Sequence, residues 1–375
     1  MGNNIQLINY FIIYIFLIIV PFSYSELFDI RVILILPLLI IFLLLNSYVH
    51  YIKLYKTSDL LIAIYLFFIL IIYSIINLDF IFIVPIILFL FNSYYFSILG
   101  KNFILKLNLK KIVKLYVYIA TVFGLVLLLQ AFLYFNGIYF GKIEVFGGHR
   151  FAFYVNWKDS SFVSLYLASA IPLTFYSFGV KSKTKYIIIL ILFISSYVSS
   201  ARTGLFSLIL LFTLVVFVNT LIDFLKHKIK KTNLLYIFTG ICIFVLLIIL
   251  IVNGFGRFSE GDNGRIETYI ESFSIFFNSP LIGTGFSSSN QVSVHNFLIH
   301  TLASGGLLFF IPWLLWLFFI IKKSLNVNHY LRYTFFVILI GCNFIPSFFS
   351  AYFLGIIISF ILIDYVQSNI KGFKK

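Results

Sequence analysis

Apolar runs of about 17–22 residues, each bounded by charge or by Gly, Pro or Asn, follow one another along almost the whole of this chain. Each is long enough to carry an α-helix across roughly 30 Å of hydrocarbon. Such windows lie near 5–22, 30–46, 59–76, 80–99, 115–135, 161–179, 186–201, 204–222, 234–252, 295–321, 331–346 and 349–366. Hydrophobic residues make up 62% of the 375 positions and charged ones only 10%. No water-soluble core of this length hides so much apolar surface, whereas a bilayer accepts it as lipid-facing area. The expected fold is an all-α integral membrane protein of about twelve transmembrane helices. It forms a single polytopic domain over 1–375, without internal repeat or soluble domain.

A formal net charge of +15 would suit nucleic acid, but the lysines sit in short clusters between the apolar runs. That is the pattern of topology determinants and anionic-lipid contacts, so membrane lipids are expected partners and nucleic acid is not. With a cytoplasmic N-terminus, 20 of the 27 basic residues fall on the inner side, from Lys53 and Lys56 to Lys371, Lys374 and Lys375. This orientation places both termini in the cytoplasm. The outer side keeps Arg31, Lys142, Arg150, Lys158, Arg202, Arg257 and Arg265. Lys and Arg set topology equally well, yet five of these seven are Arg, whose planar fork grips phosphate through two parallel hydrogen bonds. The outer face is expected to hold an anion.

The first apolar segment lacks Lys or Arg before it and a small-residue cleavage site after it, so it reads as a retained span. Cys242 and Cys342 lie within apolar runs and read as packing residues.

The outer loops of any size are 136–160 and 253–294, and the second is the longest polar interruption in the chain. Within it Asp262 or Asn263 can cap a helix starting near Arg265. Ile266, Tyr269, Ile270, Phe273 and Phe277 then recur at helical spacing, and Pro280 ends the run. This amphipathic helix is expected to lie flat in the membrane interface. Its alternative reading is an inert cover whose Arg265 pairs with lipid phosphate or Glu267. Past the Gly283-Thr284-Gly285 turn, Ser293 can cap the next span, with His295 in its first turn. The helix dipole there favours the neutral imidazole, a form able to accept a proton. A histidine merely bonded to backbone or headgroup is the other reading for His295, and the expected one for His300. Ala303 to Gly306 reads as a small-residue motif for close helix approach. Arg202, between two apolar runs in Ser199-Ser200-Ala201-Arg202-Thr203-Gly204, needs an anion, water or a distant partner, unless it snorkels to the interface.

Three sequence motifs occur in this order: the Ser-Ala-Arg202-Thr-Gly segment; Gly264-Arg265, followed by Tyr269 and by Pro280 to Gly285; and His295-Asn296, followed by Gly305-Gly306. Over about the C-terminal half, Ser199 to Phe310, they resemble the O-antigen ligase and O-antigen polymerase superfamily of polytopic envelope enzymes. The resemblance implies a membrane glycosyltransferase similar to the C-type lipid-linked class. Such an enzyme takes glycan from undecaprenyl pyrophosphate and joins it to an acceptor hydroxyl with inversion, in the bacterial cytoplasmic (inner) membrane with its active face periplasmic. It further implies that Arg202 and Arg265 hold the pyrophosphate and that His295 is the functional histidine. Arg150, ahead of Asn156, lies about where relatives carry an Arg-to-Asn segment. Arg257, Asn296, Glu267 and Tyr269 complete the candidate substrate-binding set, with Glu267 orienting Arg265.

Residue chemistry agrees with that expectation. Pyrophosphate is already a good leaving group, so the site needs cations for the developing charge and a base for the incoming hydroxyl. Neither a cofactor nor a metal is expected; the acidic residues Glu260, Asp262, Glu267 and Glu271 match no dedicated metal loop. The ligase-type leucine beyond Arg202 is Phe206 here, and the Phe/Ile/Tyr-rich composition resembles polysaccharide-cluster polymerases. The leading expectation is therefore a repeat-unit polymerase, with a chain-length regulator as a further partner. A ligase transferring glycan to lipid A core is the alternative. A lipid-linked sugar flippase is the second alternative, disfavoured because the candidate residues gather on one side rather than near the midplane.

Overall fold

The computed structural model describes residues 10–11, 13–15, 17–18, 57–77, 86, 89–90, 93–94, 107–146, 150–155, 157, 159–178, 182–201, 203–225, 265–286, 294–345, 349 and 351–372. The expected spans at 30–46 and 234–252 lie outside the described residues. The described chain is mostly helical. Its helices are α1 (Thr57–Asn77), α2 (Leu109–Phe135), α3 (Ser160–Phe178), α4 (Thr184–Val198), α5 (Thr203–Leu225), α6 (Arg265–Asn278), α7 (Phe297–Ser324), α8 (His329–Gly341) and α9 (Tyr352–Gly372). Helices α2, α3 and α7 are long and apolar enough to cross a membrane, and shorter apolar stretches occupy α4, α5 and α9. This is the architecture of a membrane-embedded helical protein.

Helix α3 lies at the centre, packed against α2, α4, α5 and α8. Almost every residue from Phe162 to Thr174 is buried, so the helix shows no amphipathic face. Ser164, Ala168, Ser169 and Ala170 supply the small side chains that let its neighbours approach. Helix α9 is buried along most of its length and packs on α7 and α8. Cys342, just past α8, is fully buried, as a packing residue should be, whereas Cys242 lies outside the described residues.

The chain is not purely helical. In the 136–160 loop, β1 (Ile143–Phe146) and β2 (Arg150–Phe153) form an antiparallel hairpin with Ile143 opposite Phe153 and Phe146 opposite Arg150. Two short runs rich in apolar residues flank Gly147-Gly148, which is a hairpin signal that the helical reading passed over.

The fully buried Gln130 near the end of α2 fixes this hairpin. Its Nε2 donates to the carbonyls of Phe140 (2.7 Å) and Lys142 (3.0 Å), and its Oε1 accepts from the Val155 N–H (2.9 Å). Replacing Gln130 by alanine strands those backbone groups, and orphaned buried polar groups cost about 1–3 kcal/mol each. Gln130→Ala is expected to lose about 2–4 kcal/mol and to open the hairpin to protease. An unchanged melting temperature in detergent would show that the clamp carries no weight.

Candidate functional site

His295 and Asn296 sit at the N-terminal end of α7, with Tyr269 of α6 packed beside them on Val294 and Ala303, opposite the end that carries Lys322 and Lys323. The cap is Asn296, not Ser293: its Oδ1 accepts from the N–H groups of Leu298 (3.0 Å) and Ile299 (3.2 Å). Helix α7 therefore starts at Phe297, and His295 stands one residue outside the helix rather than in its first turn. His295 is half-buried, with Nδ1 3.4 Å from the Phe344 carbonyl. A carbonyl oxygen only accepts, so in this contact Nδ1 carries the hydrogen, the arrangement in which Nε2 is the nitrogen that can take up a proton.

Phe344 ties two motifs together. Its ring meets Phe206 of α5 edge-on at 5.3 Å, and Phe206 follows the Arg202 motif by one helical turn. The Arg202 side chain lies outside the described residues, but both flanks are held. Ser164 Oγ of α3 donates to the Ala201 carbonyl (2.8 Å) and accepts from the Gly204 N–H (3.2 Å). Ser196 of α4 closes the knot by donating to the Ser164 carbonyl (3.0 Å). Ser200 adopts φ +61, a conformation uncommon outside Gly, so the backbone entering this motif is turned sharply.

Helix α6 starts at Arg265 and ends at Asn278, before Pro280, as the periodicity predicts. Its faces are divided differently from expectation. Tyr269 and Ile275 turn inward onto Val294 and Ala303, beside Ile299 of α7, and Ser272 is fully buried. Ile270, Phe273 and Phe277 point away from the protein, 65%, 41% and 72% exposed. An outward apolar stripe on a helix packed beside a span suits the membrane interface. Glu267 and Glu271 are exposed. Nothing is described of the Arg265 side chain, and Arg257, Glu260 and Asp262 lie outside the described residues. Arg150 begins β2, with its side chain likewise outside the description.

The Gly305-Gly306 pair does not serve close helix approach. Gly306 has φ 57 and ψ −173, which breaks α7, and the segment after α6 threads into the break. Thr284 N–H donates to the Ala303 carbonyl (3.2 Å), and Gly285 N–H to Ser304 (2.8 Å). In the other direction Leu307 N–H donates to Pro280 (2.9 Å), and Leu308 N–H to Leu281 (3.1 Å). Tyr73 of α1 donates its hydroxyl to the freed Gly305 carbonyl at 2.7 Å. Phe286 then anchors the strap among Phe309, Phe349 and Tyr73. Interrupted backbone within a span requires such substitute partners, because hydrocarbon supplies none. The sequence held a signal for this, since a Gly-x-Gly turn and a Gly-Gly pair are what two backbones need to touch. Beside the strap, His300 Nδ1 is buried without a hydrogen-bond partner among the described residues, and its ring lies 6.5 Å from that of Phe286.

The structure thus brings together the backbones flanking Arg202, the helix that opens with Arg265, and the His295-Asn296 cap. No protein-family model matches this chain, and searches of curated proteins and of solved structures return no match.

Proposed function

We propose that this chain is an inverting lipid-linked glycosyltransferase, a polymerase of surface-polysaccharide repeat units, with about twelve spans and the C-type arrangement. The observation that carries this reading is the meeting of three distant motifs at one end of α7. Phe344 joins the Arg202 segment to His295, and α6 docks on Val294 and Ala303 beside them. Arg202 and Arg265 hold the pyrophosphate of an undecaprenyl-linked glycan, with Arg150, Arg257, Tyr269 and Asn296 lining the approach and Glu267 orienting Arg265. The acceptor hydroxyl of the next lipid-linked unit attacks the anomeric carbon. The bond from that carbon to the pyrophosphate oxygen breaks, the hydroxyl proton passes to His295 Nε2, and undecaprenyl pyrophosphate leaves. The site faces the periplasm, in a bacterial inner membrane with both chain termini cytoplasmic.

A transporter would also use a broken helix, and α7 is one. In transporters, however, such breaks leave backbone groups for the cargo or ion, whereas here the Ala303, Ser304 and Gly305 carbonyls are taken by protein donors. That favours the enzyme.

Purified protein given an undecaprenyl pyrophosphate-linked repeat is expected to lengthen it. Arg265→Ala or His295→Ala should cut elongation by about 100-fold or more while leaving thermal unfolding unchanged. Wild-type elongation in both variants would dismiss the site. Offering lipid A core as acceptor separates polymerase from ligase, because only a ligase glycosylates it.

A further inference from the structure

Helix α2 carries Lys110, Lys111 and Lys114 near its start, and from Leu115 to Phe135 it rises about 31 Å, one hydrocarbon thickness. One stripe of it faces out of the protein: Val122, Leu125, Leu129, Phe132 and Phe135 are 60%, 47%, 51%, 65% and 69% exposed. Their spacing of three and four residues is one helix face, and in a membrane-embedded chain that face meets lipid. The stripe does not end with the helix. Ile138, Tyr139 and Phe140 follow at 54%, 79% and 42% exposed, with Val145 of β1 at 50%.

The backbone keeps Ile138, Tyr139 and Phe140 at the level of the helix end. Ile138 N–H donates to the Leu133 carbonyl (2.9 Å) and Gly137 N–H to Tyr134 (3.0 Å), while Gly137 takes φ +80. This paired capping pattern folds the chain back beside the last turn of α2. Tyr139 is then held against Tyr134 (5.5 Å), and the Gln130 clamp ties down Phe140 and Lys142, so the tip is seated beside the last turns of α2. A contiguous exposed patch of this kind is costly in water. Aromatic and aliphatic side chains within one turn of a span's end belong in the interfacial belt.

We infer that Ile138, Tyr139, Phe140 and Val145 form a bilayer anchor, immersed at the boundary between headgroups and acyl chains and continuous with the lipid-facing stripe of α2. The partner is the lipid surface, and the anchor fixes the depth of α2 and of the hairpin attached to it. It rests on the membrane-embedded fold and not on the proposed reaction.

The test is nitroxide labelling of the full chain in phosphatidylcholine nanodiscs, with Tyr139→Cys and, separately, Ile138→Cys in a Cys242→Ser background. The parent without an added cysteine supplies the baseline for the buried Cys342. Collision with oxygen, which concentrates in lipid, is compared with collision with a water-soluble nickel chelate. Asn326→Cys, in the exposed turn after α7, is the aqueous reference. The anchor predicts an oxygen-to-nickel ratio at 138 and 139 several-fold above that at 326, approaching that of Phe132→Cys on the lipid stripe. A ratio equal to that at 326 places the tip in water and overturns the inference. Protection from both reagents assigns the patch to a second copy of the chain and overturns it equally.

Discussion

Gly306→Ala is expected to be the most damaging single methyl group that can be added to this protein. A Cβ at that position would stand 2.4 Å from the Leu281 carbonyl oxygen and 2.5 Å from the Gly283 nitrogen, and both are backbone atoms that cannot rotate aside. The backbone of Gly306, φ 57 with ψ −173, lies in a region essentially confined to Gly and adds about 1–3 kcal/mol for any residue with a Cβ. The only relief is to draw the strap out of α7, which strands the carbonyls of Ala303 and Ser304 and the N–H groups of Leu307 and Leu308. Orphaned groups in a dry interior cost about 1–3 kcal/mol apiece, so the expected loss exceeds about 4 kcal/mol. Thermal unfolding in detergent measures it, and protease cutting between Pro280 and Gly285 reports the released strap. Gly283→Ala meets the same obstacle from the other side, with a Cβ 2.5 Å from the Ser304 carbonyl oxygen. The double variant should therefore fall short of the sum of the two, because either change alone already opens the interlock. A wild-type melting curve for Gly306→Ala would show that the strap does not sit in the break.

Gly204→Ala comes second. Its Cβ would lie 2.1 Å from the Ser164 carbonyl oxygen, so α5 and α3 must part by more than about an ångström, at a cost of about 1–3 kcal/mol for overpacking. The knot that holds Ala201 and Gly204 on Ser164 Oγ opens at the same time. Since Arg202 sits between those two anchors, the proposed elongation should fall much further in the variant than its stability does. Ser164→Ala removes the hydroxyl without creating a clash and should be milder, costing about 1–2 kcal/mol. It should not rescue Gly204→Ala, because the obstacle is the Ser164 backbone. Rescue would mean that the close approach is governed by side chains alone.

Much of the helical framework was legible because bilayer-length apolarity is a strong signal. The windows at 59–76, 161–179 and 204–222 became Thr57–Asn77, Ser160–Phe178 and Thr203–Leu225. Periodicity and Pro280 likewise bounded α6. Elsewhere a hydropathy reading has no access to the deciding physics. Mean hydropathy stays high across the 295–321 window, so a span-length reading conceals a break whose partner backbone comes from the preceding loop, even though Gly305-Gly306 marks its place. Ser293 and Asn296 are equally good caps in isolation, and only the geometry of the Leu298 and Ile299 N–H groups selects Asn296. Tyr269 shares a helical stripe with Ile270 and Phe273 but lies at its edge, where Val294 and Ala303 offer a surface to cover. The approach of the Arg202 flanks to His295 passes through Phe344, which no motif spacing singles out.

The contact between His295 and residue 344 runs to a main-chain oxygen, which twenty different side chains would present alike. Exchange of Phe344 for leucine or methionine therefore leaves the imidazole's tautomer alone and touches only the edge-on seat against Phe206. Mutational drift at this position can retune how firmly the α5 end is held while the His295 ring keeps its backbone contact. A ring seat and a main-chain acceptor at one residue are thus free to evolve separately.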